Sequence, residues 1–322
     1  MIKAGVIGGA GYTGGELLRI LVNHPEVEIT FVNSNSNAGN KIYAVHQDLV
    51  GYTDLTFTDE LPFSSVDVIF LCVGHGNART FLEKNSIPEN VKIIDLSTDY
   101  RHKENAEDFI YGLPELNKSS IETANKIANP GCFATCIQLG LLPLAASKNI
   151  NDEVHISAIT GSTGAGVKPS ATSHFSWRNN NMSVYKAFSH QHLKEIGESL
   201  EQLQPGFEQE LNFVPFRGDF PRGIYASMYI NSDLSEKEAI DIYSEYYADA
   251  PFTHVIDFNP NLKQVVSTNN CIIYLKKHGR KLHIISMTDN LLKGASGQAV
   301  QNMNLMFGLN EDCGLKLKPS GF

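Results

Sequence analysis

The chain has 322 residues, enough for one large domain or two of ordinary size. Its 42% hydrophobic and 19% charged residues are the balance of an ordinary soluble globular protein, and no apolar run reaches the length of a membrane span. A formal charge of -9 argues against a general nucleic-acid surface, though not against a local basic pocket for a small anion.

The chain begins Met1-Ile2-Lys3-Ala4-Gly5-Val6-Ile7 and enters a strand at once, which leaves no room for a signal peptide. Five scattered cysteines (Cys72, Cys132, Cys136, Cys271 and Cys313) fit a reducing, cytoplasmic setting rather than a disulfide framework. Cys132 and Cys136 lie four apart, but no Cys/His cluster completes a metal-site spacing, so no metal is expected. After the first strand comes Gly8-Gly9-Ala10-Gly11-Tyr12-Thr13-Gly14-Gly15, then Glu16 to Val22 at helical spacing. Strand, glycine turn and helix form the context of a dinucleotide fingerprint. Gly8 and Gly11 permit the tight turn, and the helix start faces a pyrophosphate. A second strand, 27–32, ends in Asn33-Ser34-Asn35-Ser36-Asn37, with Lys41 beyond and no acidic residue for a ribose hydroxyl. Neutral donors and a lysine suit a 2′-phosphate, so NADP is favoured over NAD.

Further strands at 66–72 and 91–96, with a helix over Ala78 to Lys84 between them, continue a doubly wound sheet. Loops after such strands line the ligand crevice, which puts His75, Ser97 and Arg101 in reach of a site. His75 reads more readily as a turn-closing hydrogen-bond group than as a catalytic one. Residues 102–129 read as loop-rich. They lead to Asn129-Pro130-Gly131-Cys132, where Pro130 and Gly131 break the chain before a helix-compatible run, 133–146. Cys132 thus feeds a helix N-terminus, whose unpaired amides and dipole favour a thiolate. A small buried cysteine is the plainer reading of the same position.

Beyond Lys148 the pattern becomes that of an α+β domain on a mostly antiparallel sheet. Strands are expected at 153–159, 213–215, 223–230, 271–275 and 281–287, and helices at 190–203 and 235–248. The segment 295–307 is helical in pattern and could return to the first domain. Domain boundaries are therefore expected to give 1–149 with 291–322 as the dinucleotide-binding part and 150–290 as the catalytic, substrate and oligomerisation part. A nucleophilic cysteine needs an acid/base, and His190 and His192 open a helix two residues apart, so they cannot share one helical face. Cysteine, histidine and nicotinamide together point to a thioester reduced by hydride. Arg101, Lys168, Arg217 and Arg222 are cations in loops of an acidic chain, which points to an anionic substrate.

These stretches resemble the N-acetyl-gamma-glutamyl-phosphate reductase family. The resemblance is carried, in order, by GGAGYTGGEL (8–17), DLSTDYR (95–101), YGLPELN (111–117), NPGCFAT (129–135), STGAG (162–166), YKAFSHQHLKEI (185–196), PRGIYAS (221–227) and DNLLKGASGQAVQNMN (289–304). It implies a semialdehyde dehydrogenase-like fold, the reduction of an acyl phosphate by NADPH within arginine biosynthesis, and a homo-oligomer, dimer or tetramer. It also implies Cys132 as nucleophile, His192 as acid/base, and His190, Arg101 and Arg222 on the substrate. Gly8, Gly11, Tyr12, Thr13 and Gly14 would hold the cofactor pyrophosphate, Ser34 the adenosine end and Asn290 the nicotinamide amide. The chain departs from the family at Ala134, where proline is frequent, and at Leu193-Lys194. It also departs at Gln191, where arginine is frequent, and lacks an arginine after the second strand. Gln191 keeps an N-succinyl substrate open as an alternative. Aspartate-semialdehyde dehydrogenase is the neighbouring chemistry. A nucleotide-sensing regulatory protein would need neither Cys132 nor the histidines.

Overall fold

The computed structural model describes residues 1–321. Its first compact unit, Met1–Gly131 with Ala295–Lys316, is built on seven parallel strands. In chain order they are β1 (Ile2–Ile7), then α1 (Tyr12–Leu21), β2 (Val27–Asn33), β3 (Phe57–Thr58), β4 (Val68–Leu71), α2 (Ala78–Lys84), β5 (Lys92–Asp95), β6 (Ile110–Tyr111), α3 (Pro114–Thr123) and β7 (Lys126–Ala128). The strand order is β3-β2-β1-β4-β5-β7-β6, and every pairing is parallel. Strands covered on both faces read as unbroken apolar runs, and all four residues of β4 are buried. The order reverses at β1, with β2 on one side and β4 on the other. That switch point opens the crevice above the strands' C-terminal ends.

The second unit, Cys132–Gly294 with the tail from Leu317, carries a mixed sheet. Its elements are α4 (Cys132–Ala146), β8 (Val154–Thr160), α5 (Phe175–Arg178), β9 (Ser183–Val184), α6 (His192–Leu203), β10 (Leu211–Arg217), β11 (Ile224–Asn231), α7 (Glu236–Tyr246), β12 (Thr253–Ile256), β13 (Cys271–His278) and β14 (Lys281–Thr288). The order is β12-β13-β14-β11-β8-β10-β9; four pairings are antiparallel and two, β8 with β10 and β12 with β13, are parallel. This is the α+β sheet the alternating patterns imply.

The helix α4 explains why the units divide after Gly131 rather than near 149. Every residue from Phe133 to Ala145 is buried, so the helix has no solvent face and needs cover all round. Within the second unit α6, α7, β11 and β14 supply that cover. Pro143 lies inside the helix and lacks the N–H that would bond the Leu139 carbonyl. The Tyr247 hydroxyl donates to that carbonyl instead, and Tyr243 donates to the next one, Gly140, at 2.6 Å. Gly140 also admits β11: a Cβ there would sit 2.2 Å from the Met228 methyl.

A π-helical turn, Leu292–Ser296, precedes α8 (Gly297–Met306), which packs on α1 and α3 in the first unit. α8 is buried yet polar, because its side chains satisfy backbone carbonyls of the loops around it. Asn302 donates to Gly112 at 2.8 Å and to the Asn129 side chain at 3.1 Å. Asn304 donates to the Glu311 and Cys313 carbonyls. Two expectations are corrected here. The stretch 102–129 holds α3 and β7 rather than loop alone. The strand expected over 213–215 runs on to Arg217, so Arg217 ends a strand instead of standing in a loop.

Candidate active site

In the first unit the glycine turn is built almost without side chains. Gly8 has φ +77, and a Cβ on it would meet the Cys72 carbonyl oxygen at 2.8 Å. The amides of Gly8 and Gly9 donate to the Asn33 carbonyl at 3.1 and 2.9 Å, which pins the turn to β2. Gly14 lies against Gly9, where a Cβ would be 2.7 Å from backbone atoms. Gly11 is different: the nearest atom to its Cβ position is 3.9 Å away. Packing therefore does not require glycine at 11, whereas the close approach of a ligand would. Gly11 caps α1 with no side-chain hydrogen bond, and the first helical bond runs from Gly15 to Gly11. The amides of Tyr12, Thr13 and Gly14 are left as the donors of an uncapped helix start. This cradle fits a dinucleotide pyrophosphate.

The loop after β2 is ordered by its own amides. Buried Ser34 bonds the Thr58 carbonyl through its N–H and accepts from Asn37 at its hydroxyl, at 3.2 Å. Lys41 turns to Asp54, donating to its carbonyl at 2.6 Å. His46 donates through Nε2 to the Gly9 carbonyl, 2.7 Å away, and so supports the glycine turn.

At the ends of the other strands, His75 is exposed. Ser97 caps Asp95, whose carboxyl burial holds near a pKa of about 6. Arg101 is buried, and its guanidinium donates to the carbonyls of Asn129 and Leu96, both at 2.8 Å. It therefore grips the backbone just before Pro130-Gly131.

In the second unit, Cys132 is the first residue of α4 and is half-buried. Cys136, one turn on, is a packing group: its thiol donates to the Ser286 carbonyl, and burial pushes its pKa to about 12. The backbone of Gly294 lies against Cys132, where a Cβ would come within 2.8 Å of the cysteine Cβ. The residue after the cysteine, Phe133, packs edge-on against His190 at 5.5 Å and His192 at 6.5 Å between ring centres. His190 sits in a box of Tyr185, Phe133, Phe213 and His192. Burial holds it down to about 4, with the charges of Lys186 and Arg217 acting the same way. Its Nδ1 accepts the His192 amide at 3.2 Å, so the neutral ring carries its proton on Nε2 and is a donor. His192 opens α6, with the buried carboxylate of Glu195 3.8 Å from its Nε2.

Arg222 and Asn290 are both committed inside this unit. Arg222 forms a fork with Asp289 at 3.0 and 3.2 Å. The same carboxylate accepts the amides of Ser267, Leu291 and Leu292. Asn290 accepts the Gly223 amide at 2.7 Å and donates to Thr163 at 2.9 Å. Together they fix the segment 289–294, whose Gly294 walls the cysteine. The sequence reading aimed these two side chains at substrate and nicotinamide, because motif position cannot reveal a buried internal partner.

Three groups escaped that reading. Glu195 could have been found from its i, i+3 spacing to His192. Gly294 is legible only as one of several small residues in its string. Tyr185 lies where the cysteine's charge, after burial, helps raise its phenol to about 12. Among the described residues no helix is long and apolar enough to cross a membrane, and no group of three His, Cys, Asp or Glu is arranged to hold a metal.

Comparison with known proteins gives two family models, the semialdehyde dehydrogenase NAD binding domain over residues 3–124 and the semialdehyde dehydrogenase dimerisation domain over 132–290. The chain is 64% identical, over the full length of both chains, to a Bacteroides fragilis protein named N-acetyl-gamma-glutamyl-phosphate reductase. It is 62% identical, again over both full lengths, to one so named from Bacteroides thetaiotaomicron. Among solved structures, aspartate semialdehyde dehydrogenase with NADP from Candida albicans matches with a TM-score of 0.73 at 15% identity, covering 95% of this chain and 99% of the other. A likeness at that identity concerns the fold.

Proposed function

The chain belongs to the N-acetyl-gamma-glutamyl-phosphate reductase family, and on that premise we propose that it reduces N-acetyl-gamma-glutamyl phosphate to N-acetyl-glutamate 5-semialdehyde and phosphate in arginine biosynthesis, with NADPH as cofactor. The observation that carries the site reading is Cys132 at the start of α4, in the same unit as the boxed histidine pair and the buried Glu195.

In this reading the Cys132 thiolate attacks the acyl carbon, a sulfur–carbon bond forms and the carbon–oxygen bond to phosphate breaks. The helix start favours the thiolate, and His192 takes the thiol proton. Glu195 orients the imidazole and stabilises its charged form. His190 stays neutral at pH 7 and donates through Nε2 to a substrate oxygen. NADPH, when bound, supplies the hydride that reduces the thioester carbonyl. The amides of Tyr12, Thr13 and Gly14, with Gly8 and Gly11, would hold its pyrophosphate, and Ser34 its adenosine end. The thiohemiacetal oxyanion then collapses, the carbon–sulfur bond breaks, and the thiolate returns. Arg101 and Arg222 act from behind, one holding the Asn129 carbonyl and the other Asp289. The protein works as a cytoplasmic homo-oligomer, dimer or tetramer; exposed Phe175, Trp177 and Phe188 in the second unit support a protein-covered surface.

The test is phosphate-dependent reduction of NADP with N-acetyl-glutamate semialdehyde. Wild-type protein should be active, and Cys132→Ser should lose at least about a thousandfold in kcat. An active serine variant would sink the covalent mechanism.

A further inference from the structure

Arg217 closes β10 in an unusual setting for a guanidinium. It lies over the Tyr185 ring, 4.7 Å from the ring centre, and its Nε is buried with no hydrogen-bond partner. Among the described residues no carboxylate forms an ion pair with it. Directly behind, buried Arg178 donates to the Arg217 carbonyl at 2.6 Å and to the carbonyls of Thr172 and Asn181 and the Ser183 hydroxyl. Arg178 thus has neutral acceptors for its positive charge. The neighbouring acid, exposed Asp219, is taken up by the Asn180 amide at 2.6 Å. Lys186 adds a third cation and holds Gln191 at 3.2 Å. Other titratable groups at this patch are Tyr185 and His190, both neutral at pH 7, Cys132, whose charge acts on Tyr185, and Glu195, whose charge acts on His190. A chain with net charge -9 has therefore gathered three cations, without an ion-pairing acid, beside the box that holds His190.

Lys186 and Phe188 shape the backbone beneath this patch. Both hold positive φ, 46 and 56, a conformation that side chains other than glycine seldom adopt without a local cause. That backbone carries Tyr185 beneath Arg217 and delivers His190 to Phe133.

We propose that Arg217, stacked on Tyr185, is the residue that binds an oxyanion of the substrate next to Cys132. The proposal deepens the functional reading above and rests on it. It gives the anion-binding role to Arg217, since Arg101 and Arg222 are held by protein acceptors. The oxyanion is the transferred phosphate, the α-carboxylate, or a carboxylate on the N-acyl group. All three offer the paired oxygens a guanidinium fork recognises.

The test has two parts. Cys132 is alkylated with iodoacetamide, followed by peptide mapping, in the presence of inorganic phosphate, N-acetyl-glutamate or N-succinyl-glutamate. At least one anion should protect wild-type Cys132, and its half-protecting concentration should rise about 10- to 100-fold in Arg217→Leu and less in Arg217→Lys. Which anion shifts identifies the source: phosphate alone, both glutamates alike, or the succinyl compound alone. Steady-state assays should show the matching KM rise with kcat changed severalfold at most. Equal protection and equal KM values in wild type and Arg217→Leu would overturn the proposal. If Arg217→Leu does not fold, Arg217→Gln decides by the same readings. An active Cys132→Ser would overturn the covalent reading instead, while the half-protecting concentrations would still decide whether Arg217 binds the anion.

Discussion

Helices α1 and α4 each begin just behind a short parallel strand, β1 and β7, and neither has an acidic residue in its first turn. Their first turns nevertheless differ in kind. At α1 the proposed working groups are backbone amides, and the constraint on sequence is that side chains be absent. At α4 the proposed working group is one thiol, and its surroundings come from 185, 190–195, 213 and 294. A site made of backbone can be read from one short stretch. A site made of side chains needs the whole unit folded around it.

That contrast breaks first, if it is wrong, at Gly14. Alanine there would place its Cβ 2.7 Å from the Gly9 backbone, which cannot give way as a flexible side chain would. A loss of about 3 kcal/mol or more is expected, beyond the ordinary cost of overpacking, and shows as a low unfolding midpoint without cofactor. A wild-type melting curve would refute the packing account of the turn. Next in size is Glu195→Gln, which keeps shape and removes charge. It should lower kcat about 10- to 100-fold with little change in NADPH affinity, since the carboxylate lies beside the His192 imidazole. An unchanged kcat would reduce Glu195 to a packing residue.

Gly11→Ala probes the same turn where packing leaves room. Its Cβ meets only the Gly8 carbonyl oxygen, at 3.9 Å, so stability should fall by no more than about 1 kcal/mol. NADPH should bind about tenfold more weakly, as titration of cofactor fluorescence would show, because only the ligand competes for that space. Equal affinity would mean the cofactor stays away from Gly11.

The smallest effect is the pH dependence of stability through His190. Its folded pKa, about 4, lies below the ordinary 6.5, so folding favours the neutral ring. Its contribution is complete above about pH 6.5 and is lost as pH falls towards 4. Urea melts of wild type and His190→Gln should therefore converge across that window. Asp95 runs the opposite way. Its pKa is raised from 3.8 to about 6, so its contribution is complete below 3.8 and lost as pH rises through 6. Only the difference between wild type and the His190 variant isolates the histidine. A constant difference from pH 7.5 to 4 would show that the ring is not held neutral.

Much of the first unit was legible because period and punctuation agree there. The strand–glycine–helix pattern located α1, and the span of α2, Ala78–Lys84, matches its sequence reading to the residue. α3 was missed because PELNKSSIET is polar, weakly amphipathic and irregular at Asn117, so it offers no apolar stripe. The end of β10 was missed because Pro215 interrupts a strand signal that pairing with β8 and β9 restores. α4 was read as a helix but assigned to the wrong neighbours. Periodicity reports which faces are apolar, and a helix apolar on every face says nothing about what covers it.

The features on which the proposed chemistry rests are legible in the chain before it folds. Gly8 to Gly15, Cys132 before an apolar helix, and two histidines at 190 and 192 are local facts, set by backbone freedom, helix-end electrostatics and side-chain identity. The fold sets which polar side chains are held by protein partners and which cation has no ion-pairing acid. Arg101, Arg222 and Asn290 look exposed to ligand in the sequence and are held by protein groups in the fold, whereas Arg217 is left without an acid. The reason is physical: a buried polar group must find partners within about 3 Å, and those partners come from elements far away in the chain.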